Sequence, residues 1–333
     1  MSRELPANGG TSANARRLLR ICGLAVSLIA VAWIGMHFAR SGALDLLAAA
    51  DITPLHLALA LLAGAASYAL ATCILAFAWW RMMIALSTQP VPARPIMATY
   101  ALSQYGKYLP GNVAHYAVRH AWSRRYGLKH GELGLASILE GALLLLAALC
   151  LTLLADTSQL RLLSILDPRL AIALLVLMLI VLGFALHWAR RKDVVARLHI
   201  PALPSTPVLA LCFACYLAFL AFCAALLDGL AHVLGIGIDS FAMLLAASAA
   251  SWLAGFVVIG APGGLGVREA AFVALAGGAL GESHALLLIG FFRVVTFLGD
   301  TLFFAAGAIV LRVRGRGTVA DETTPTSENR RSP

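Results

Sequence analysis

The sequence predicts an all-α polytopic membrane protein, with about eight transmembrane helices and one re-entrant or broken helical segment. Three observations predict it. Of 333 residues, 61% are hydrophobic and only 12% charged, where soluble domains run nearer a quarter charged. Several apolar runs exceed the roughly 20 residues that carry a helix across about 30 Å of hydrocarbon. Lys and Arg gather in clusters between those runs, as topology demands of cytoplasmic loops. The alternation of outer-membrane strands is absent, which excludes a β-barrel.

Helices are expected at about 21–40, 55–85, 134–155, 169–190, 207–234, 240–260 and 284–311. Residues 1–15 and 316–333 are polar and rich in Ser, Thr, Pro and Gly, and are expected to be disordered tails around one membrane domain, 16–315. The run from Ile21 contains Trp33 and lacks a small-residue cleavage site, so it reads as an uncleaved first helix. The clusters at Arg16–Arg20, Arg124–Lys129, Arg190–Arg197 and Arg312–Arg316 fall on one side if 96–123 dips in and returns while 262–281 crosses. That arrangement places both termini in the cytoplasm and loop 156–168 outside.

The formal charge of +9 is explained by those loops, and no nucleic-acid partner is expected. All six cysteines lie in apolar stretches. Cys212 and Cys215 have redox or zinc spacing but no second pair, so helix packing is the expected role. P-loop, G-x-S-x-G, HExxH and dinucleotide fingerprints are missing, and there is no cofactor signal.

Two segments, about 96–123 and 262–281, interrupt the hydropathy with Pro, Gly and charge. The first carries 105-YGKYLPGNVAHYAVRH-120 and the second 260-GAPGGLGVREAAF-272. Each lies in its own half of the chain, and such a pair points to a transport site at the interface of an internal pseudo-repeat. Two unrelated kinks are the alternative. In the second segment Gly263, Gly264 and Gly266 suit positive φ and close approach to a ligand. A helix restarting near Val267 would aim free N–H groups at an anion, and Arg268 adds a fork of donors matched to phosphate. Glu269 points about 100° away from Arg268 on such a helix. In the first segment a helix would end at Pro110-Gly111 and another begin near Asn112, with Lys107 before the break and Arg119 after it.

Candidate substrate-binding residues are therefore Lys107, Asn112, Arg119, Gly263, Gly264, Gly266, Arg268 and Glu269. Snorkelling at the interface competes for Lys107 and Arg119, and an aromatic belt competes for Tyr100, Tyr105, Tyr108, Tyr116 and Trp122. Glu140, Arg293 and Asp300 are intramembrane charges that serve either coupling or structural ion pairs. The small-residue pairs Gly260/Gly264 and Gly277/Gly281 are expected to mark close helix packing.

The pattern 106-GKYLPGN-112 followed by Arg119, with 262-PGGLGVRE-269 before a last long helix, resembles the flippase-like family of bacterial membrane proteins. That family includes the transmembrane region of lysylphosphatidylglycerol synthase and its stand-alone relatives. The resemblance spans about residues 20–312. It implies two re-entrant or broken segments and a role in moving or handling polar lipids. Bifunctional members continue into a soluble synthase domain; the roughly 20 residues after Arg312 leave no expectation of one, so synthase activity is not carried over.

The favoured function is thus a lipid flippase or scramblase-like transporter, not an enzyme. Its substrate would be an anionic phospholipid, an aminoacyl phospholipid or a polyprenyl-phosphate carrier. Expected partners are membrane lipids, with a homo-oligomer or envelope biosynthesis enzymes as further ones. A non-transporting scaffold of an envelope assembly complex is one rival. A membrane glycosyl or lipid transferase is the other, for which Asp45 and Asp51 are the only external acidic pair before the first break.

Overall fold

A computed structural model describes residues 52–109, 114–154, 203–258 and 262–321, with side chains as far as 312, and a few isolated positions elsewhere. The helices expected at 21–40 and 169–190, the loop at 156–168, and Asn112 lie outside the described residues, as does the Pro110-Gly111 pair.

The described residues form eight α-helices and no strand. They are α1 Pro54–Leu86, α2 Ala93–Ser103, α3 Ala114–Ser123, α4 His130–Leu154, α5 Thr206–Val233, α6 Phe241–Val257, α7 Val267–Leu280 and α8 Glu282–Asp321. Four are long and apolar enough to cross a membrane: α1, α4, α5 and the Glu282–Arg312 part of α8. At about 1.5 Å per residue, α6 with its 17 residues reaches roughly 26 Å. By the same rise α2, α3 and α7, with 11, 10 and 14 residues, fall well short of the hydrocarbon thickness.

Local chemistry sets the ends. Thr53 caps α1, its hydroxyl accepting from the His56 N–H at 3.3 Å, and Pro54 sits in the first turn, where its missing N–H costs nothing. α2 tightens into a 3₁₀ turn at Gln104–Tyr108. The chain then doubles back: a Cβ on Gly106 would lie 2.6 Å from the backbone of His115 at the start of α3, so only glycine fits this crossing. α3 is described from Ala114, so the start expected near Asn112 lies outside the described residues, and α4 begins at His130, one turn earlier than expected. Between α6 and α7 a further 3₁₀ turn occupies Pro262–Gly264.

α8 lies against α1, α2 and α7, while α5 packs on α1 and α4 and α6 packs on α7. α8 comes close to α1 and α2 at Gly299 and Gly307. A Cβ on Gly299 would meet the Ala65 carbonyl at 2.8 Å, and one on Gly307 the Ala98 carbonyl at 3.0 Å. These are the small-residue contacts that packing in lipid relies on, and they are not the pairs expected. Gly260 lies outside the described residues, Gly264 accommodates the Arg268 side chain, and Gly277 and Gly281 serve the turn into α8, with Gly281 at φ 84°. One apolar core gathers Trp79, Met82, Leu139 and Tyr216; a second gathers Leu227, Met243, Phe272 and Leu286. Leu55, Leu59 and Leu62 of α1 and Phe297, Leu302 and Ile309 of α8 are exposed, as a lipid-facing surface requires.

Candidate functional site

The 3₁₀ turns at Gln104–Tyr108 and Pro262–Gly264 meet. A Cβ on Gly263 would lie 3.2 Å from the Tyr108 ring and 3.7 Å from the Lys107 carbonyl, so the breaks at the two ends of the chain touch in the interior. Beside them opens a cavity of about 130 Å³, lined among others by Lys107, His115, Arg119, Glu140, Arg268 and Arg293. Space of that size holds on the order of ten waters or one small polar group.

Charge around the cavity follows one rule repeated three times, in which each carboxylate receives a cation and a neutral donor. Asp300, fully buried on α8, takes Lys107 Nζ at 2.7 Å and the Tyr108 hydroxyl at 2.6 Å. Glu140 on α4 takes Arg119 Nη1 at 2.5 Å and the Tyr100 hydroxyl at 2.9 Å. Glu269 on α7 takes the Arg293 guanidinium and the Gly266 N–H, the latter at 2.6 Å. Carboxylates this deeply buried, with Glu140 2% and Glu269 3% exposed, stay charged only when paired and hydrogen-bonded. Arg293 also donates to the Gly263 carbonyl at 3.2 Å, tying α8 to the second break.

The cations have aromatic cover as well. Arg119 is 1% exposed and sits over the rings of Tyr100 at 3.8 Å and Trp79 at 4.5 Å. Lys107 faces Tyr108 at 5.5 Å and Tyr68 at 6.0 Å. Such contacts are worth roughly 0.5–2 kcal/mol each.

Arg268 breaks the rule. Among the described residues it forms no ion pair, its buried Nε has no hydrogen-bond partner, and its one aromatic contact is Trp252 at 5.5 Å. The side chain occupies a slot made by two glycines. A Cβ on Gly264 would stand 2.6 Å from its Nε, and one on Gly255 of α6 would stand 2.7 Å from the same atom. Gly264 also needs its φ of 70°, where a side chain is strained. His115 adds a second open polar atom, a buried Nδ1 without a partner.

The match of a known family settles the kinship of this arrangement. The family described as the lysylphosphatidylglycerol synthase TM region matches residues 20–303, a span that includes both breaks and every charged residue named above. The chain belongs to that family. As a lysylphosphatidylglycerol synthase TM-region protein it is a membrane protein of a family related to lipid handling. Comparison with curated proteins finds no match.

Within this TM-region chain, part of the set expected at the site lines the cavity, without sharing one role, while Gly264, Gly266 and Glu269 are not among the lining residues. Lys107, Arg119, Arg268, Gly263 and Arg293 meet at the cavity. Lys107 and Arg119 are held by Asp300 and Glu140, so neither offers its full charge to a ligand. Glu269 is turned inward to Arg293 and to the N–H of Gly266, where it caps α7 itself. The restarted helix therefore presents one free N–H fewer than the sequence suggested. Gly264 makes room for an arginine, where close backbone approach to a ligand was expected. Arg293 and Asp300 share α8 yet pair with different elements, Glu269 and Lys107.

Sequence reasoning missed Gly255, His115 and the carboxylate-binding role of Tyr100 and Tyr108. It also left Gly266-x-x-Glu269 unread, although the spacing of that pair is the signature of a capped helix start. Cys212 packs its thiol on the Ala78 carbonyl at 3.5 Å, between α5 and α1. Among the described residues no three His, Cys, Asp or Glu side chains converge as metal ligands. Asp45 and Asp51 lie outside the described residues.

Proposed function

We propose that this protein binds the phosphate-bearing headgroup of a polar lipid between its two breaks and moves that lipid across the bacterial inner membrane. It is a flippase or scramblase-like transporter and not an enzyme, with both termini cytoplasmic and about 96–123 re-entrant. The observation that carries the reading is Arg268, a cation in the cavity with no anion beside it. An unpaired charge removed from water is destabilising by several kcal/mol, and a bound phosphate relieves it. Arg, with its planar fork, is the side chain best shaped for that partner. Lys107, Arg119 and Arg293 are neutralised and held in place by their carboxylates, so Arg268 supplies the net positive charge of the site. The acyl chains remain in lipid, beside the apolar outer faces of α1 and α8.

The test is reconstitution into vesicles carrying a fluorescent phosphatidylglycerol in both leaflets, with a membrane-impermeant quencher added outside. Wild type should expose the inner-leaflet pool to quenching far faster than protein-free vesicles, and Arg268→Gln should slow it at least tenfold. A rate equal to that of empty vesicles would remove the transport reading. The closely satisfied ion pairs favour a second reading in that event, a rigid scaffold within an envelope assembly complex. That scaffold would tolerate Arg268→Gln and fail on changes to its outer helix faces.

A further inference from the structure

The charge balance of the cavity bears on which headgroup it takes. Four cations, Lys107, Arg119, Arg268 and Arg293, stand against three carboxylates, Glu140, Glu269 and Asp300, which leaves one positive charge in excess. A protonated His115 would only add to that excess. No carboxylate here is left open for a second cation. Each carboxylate already has both oxygens engaged, one by a cation and the other by a hydroxyl or a backbone N–H.

The other usual host of an ammonium group is an aromatic face. The Tyr and Trp faces are occupied too, and the remaining lining rings, Phe219, Phe256 and Phe292, are weaker hosts than Trp. Tyr68 and Tyr108 cover Lys107, Tyr100 and Tyr116 cover Arg119, and Trp252 covers Arg268. What does remain is neutral. Ser248 and Thr296 line the cavity, and their hydroxyls donate to the carbonyls of Leu245 and Arg293, which leaves their oxygens as acceptors. Acceptors of that kind suit the hydroxyl groups of a headgroup alcohol.

We infer that the site selects lipids whose headgroup is a phosphate with an uncharged alcohol or no alcohol, and rejects headgroups that carry an amine. This rests on the proposed headgroup site and narrows it. A phosphodiester on glycerol neutralises the excess charge and finds acceptors for its hydroxyls. A zwitterionic ethanolamine headgroup brings an ammonium that must either stay outside or be buried unpaired. An aminoacyl headgroup adds still more positive charge to a cavity already positive. Like charges buried without counter-ions are among the strongest grounds for discrimination. The selection therefore runs against the cationic lipid in the family's name.

The experiment is competitive lipid binding followed by native mass spectrometry of the purified full chain. Wild type is equilibrated in micelles with equal amounts of phosphatidylglycerol, a polyprenyl phosphate, phosphatidylethanolamine and lysyl-phosphatidylglycerol. Enrichment of phosphatidylglycerol or the polyprenyl phosphate by about tenfold over both amine-bearing lipids, equivalent to ~1.4 kcal/mol, is the expected result. The first two lipids also tell which anionic class is taken. Arg268→Gln should lose the enrichment. Equal or preferred retention of an amine-bearing lipid by wild type, still dependent on Arg268, overturns the selection and leaves the headgroup site standing. Identical profiles for wild type and Arg268→Gln overturn the site itself. The wild-type competition alone decides the selectivity, so the inference does not depend on the variant folding.

Discussion

Replacing Glu140 by Gln removes one charge from the interior while keeping the shape of the side chain. Glu140 and Arg119 are 2% and 1% exposed and 2.5 Å apart, so the change strands a guanidinium deep in the protein. Breaking a buried pair on one side typically costs about 3–5 kcal/mol, because the remaining charge is left uncompensated. Arg119 keeps the ring faces of Tyr100 and Trp79 and a 3.2 Å hydrogen bond from its Nε to Ser103, which hold the loss near the lower end, ~3 kcal/mol. Arg119→Met forfeits those contacts as well and should approach ~5 kcal/mol. Removing both charges together is a different perturbation, since an apolar replacement of a buried pair is often neutral. The double variant Arg119→Met/Glu140→Gln should then be less damaging than the sum of the two singles by about 3 kcal/mol. Reversible unfolding in mixed micelles, run as a double-mutant cycle, measures this coupling. Single variants within about 0.5 kcal/mol of wild type, or a double variant equal to the sum, would show that the pair is not the buried, charged contact described.

Three further outcomes follow from the glycines and the remaining pairs. Gly255→Ala pushes a methyl group into the Arg268 side chain and should reduce lipid retention about as much as Arg268→Gln, read by lipid mass spectrometry, with little change in the helix content. Gly299→Ala sets a Cβ 2.7 Å from the Tyr68 ring and should destabilise by roughly 1–3 kcal/mol through overpacking of α1 on α8. Gly278→Ala, with nothing within 4 Å of the new Cβ, should be stabilising by about 0.5–1 kcal/mol, and thermal melts of the two side by side check the contrast. Asp300→Asn leaves Lys107 without its counter-ion and should cost about 3–5 kcal/mol, while Asp300→Asn with Lys107→Met should recover most of it in the same unfolding assay.

The membrane class and the long helices were legible in the sequence because hydropathy over 20 or so residues is a property of the segment alone. α1, α4 and α5 come within a few residues of where they were expected, and α8 starts two residues early but runs ten residues past its expected end, into the stretch expected to be disordered. The two breaks were legible for the same reason, since Pro, Gly and charge in an apolar run are local signals. Partnership was not legible. Lys107 and Asp300 are 193 residues apart and Arg119 and Glu140 21 apart, and nothing local distinguishes a cation destined for a carboxylate from one left open. Tyr100 and Tyr108 have the composition of an interfacial belt and serve instead as donors to buried carboxylates, a choice fixed only by where α4 and α8 pass. Gly264 and Gly255 illustrate the same limit: their value lies in the space they leave for Arg268, which belongs to α7. Glu269 is the exception, since its distance from Gly266 is enough to read the cap.

The most direct test of a headgroup site is the lipid that stays with the protein. Wild type and Arg268→Gln should be purified in parallel from the same membranes, checked for equal thermal stability, and their retained lipids quantified. An anionic phosphate lipid enriched severalfold over its membrane abundance in wild type, and at bulk abundance in the variant, is the expected result. The same bulk-like profile from both proteins would contradict the assignment of the cavity between the two breaks as the place where this family member holds its lipid.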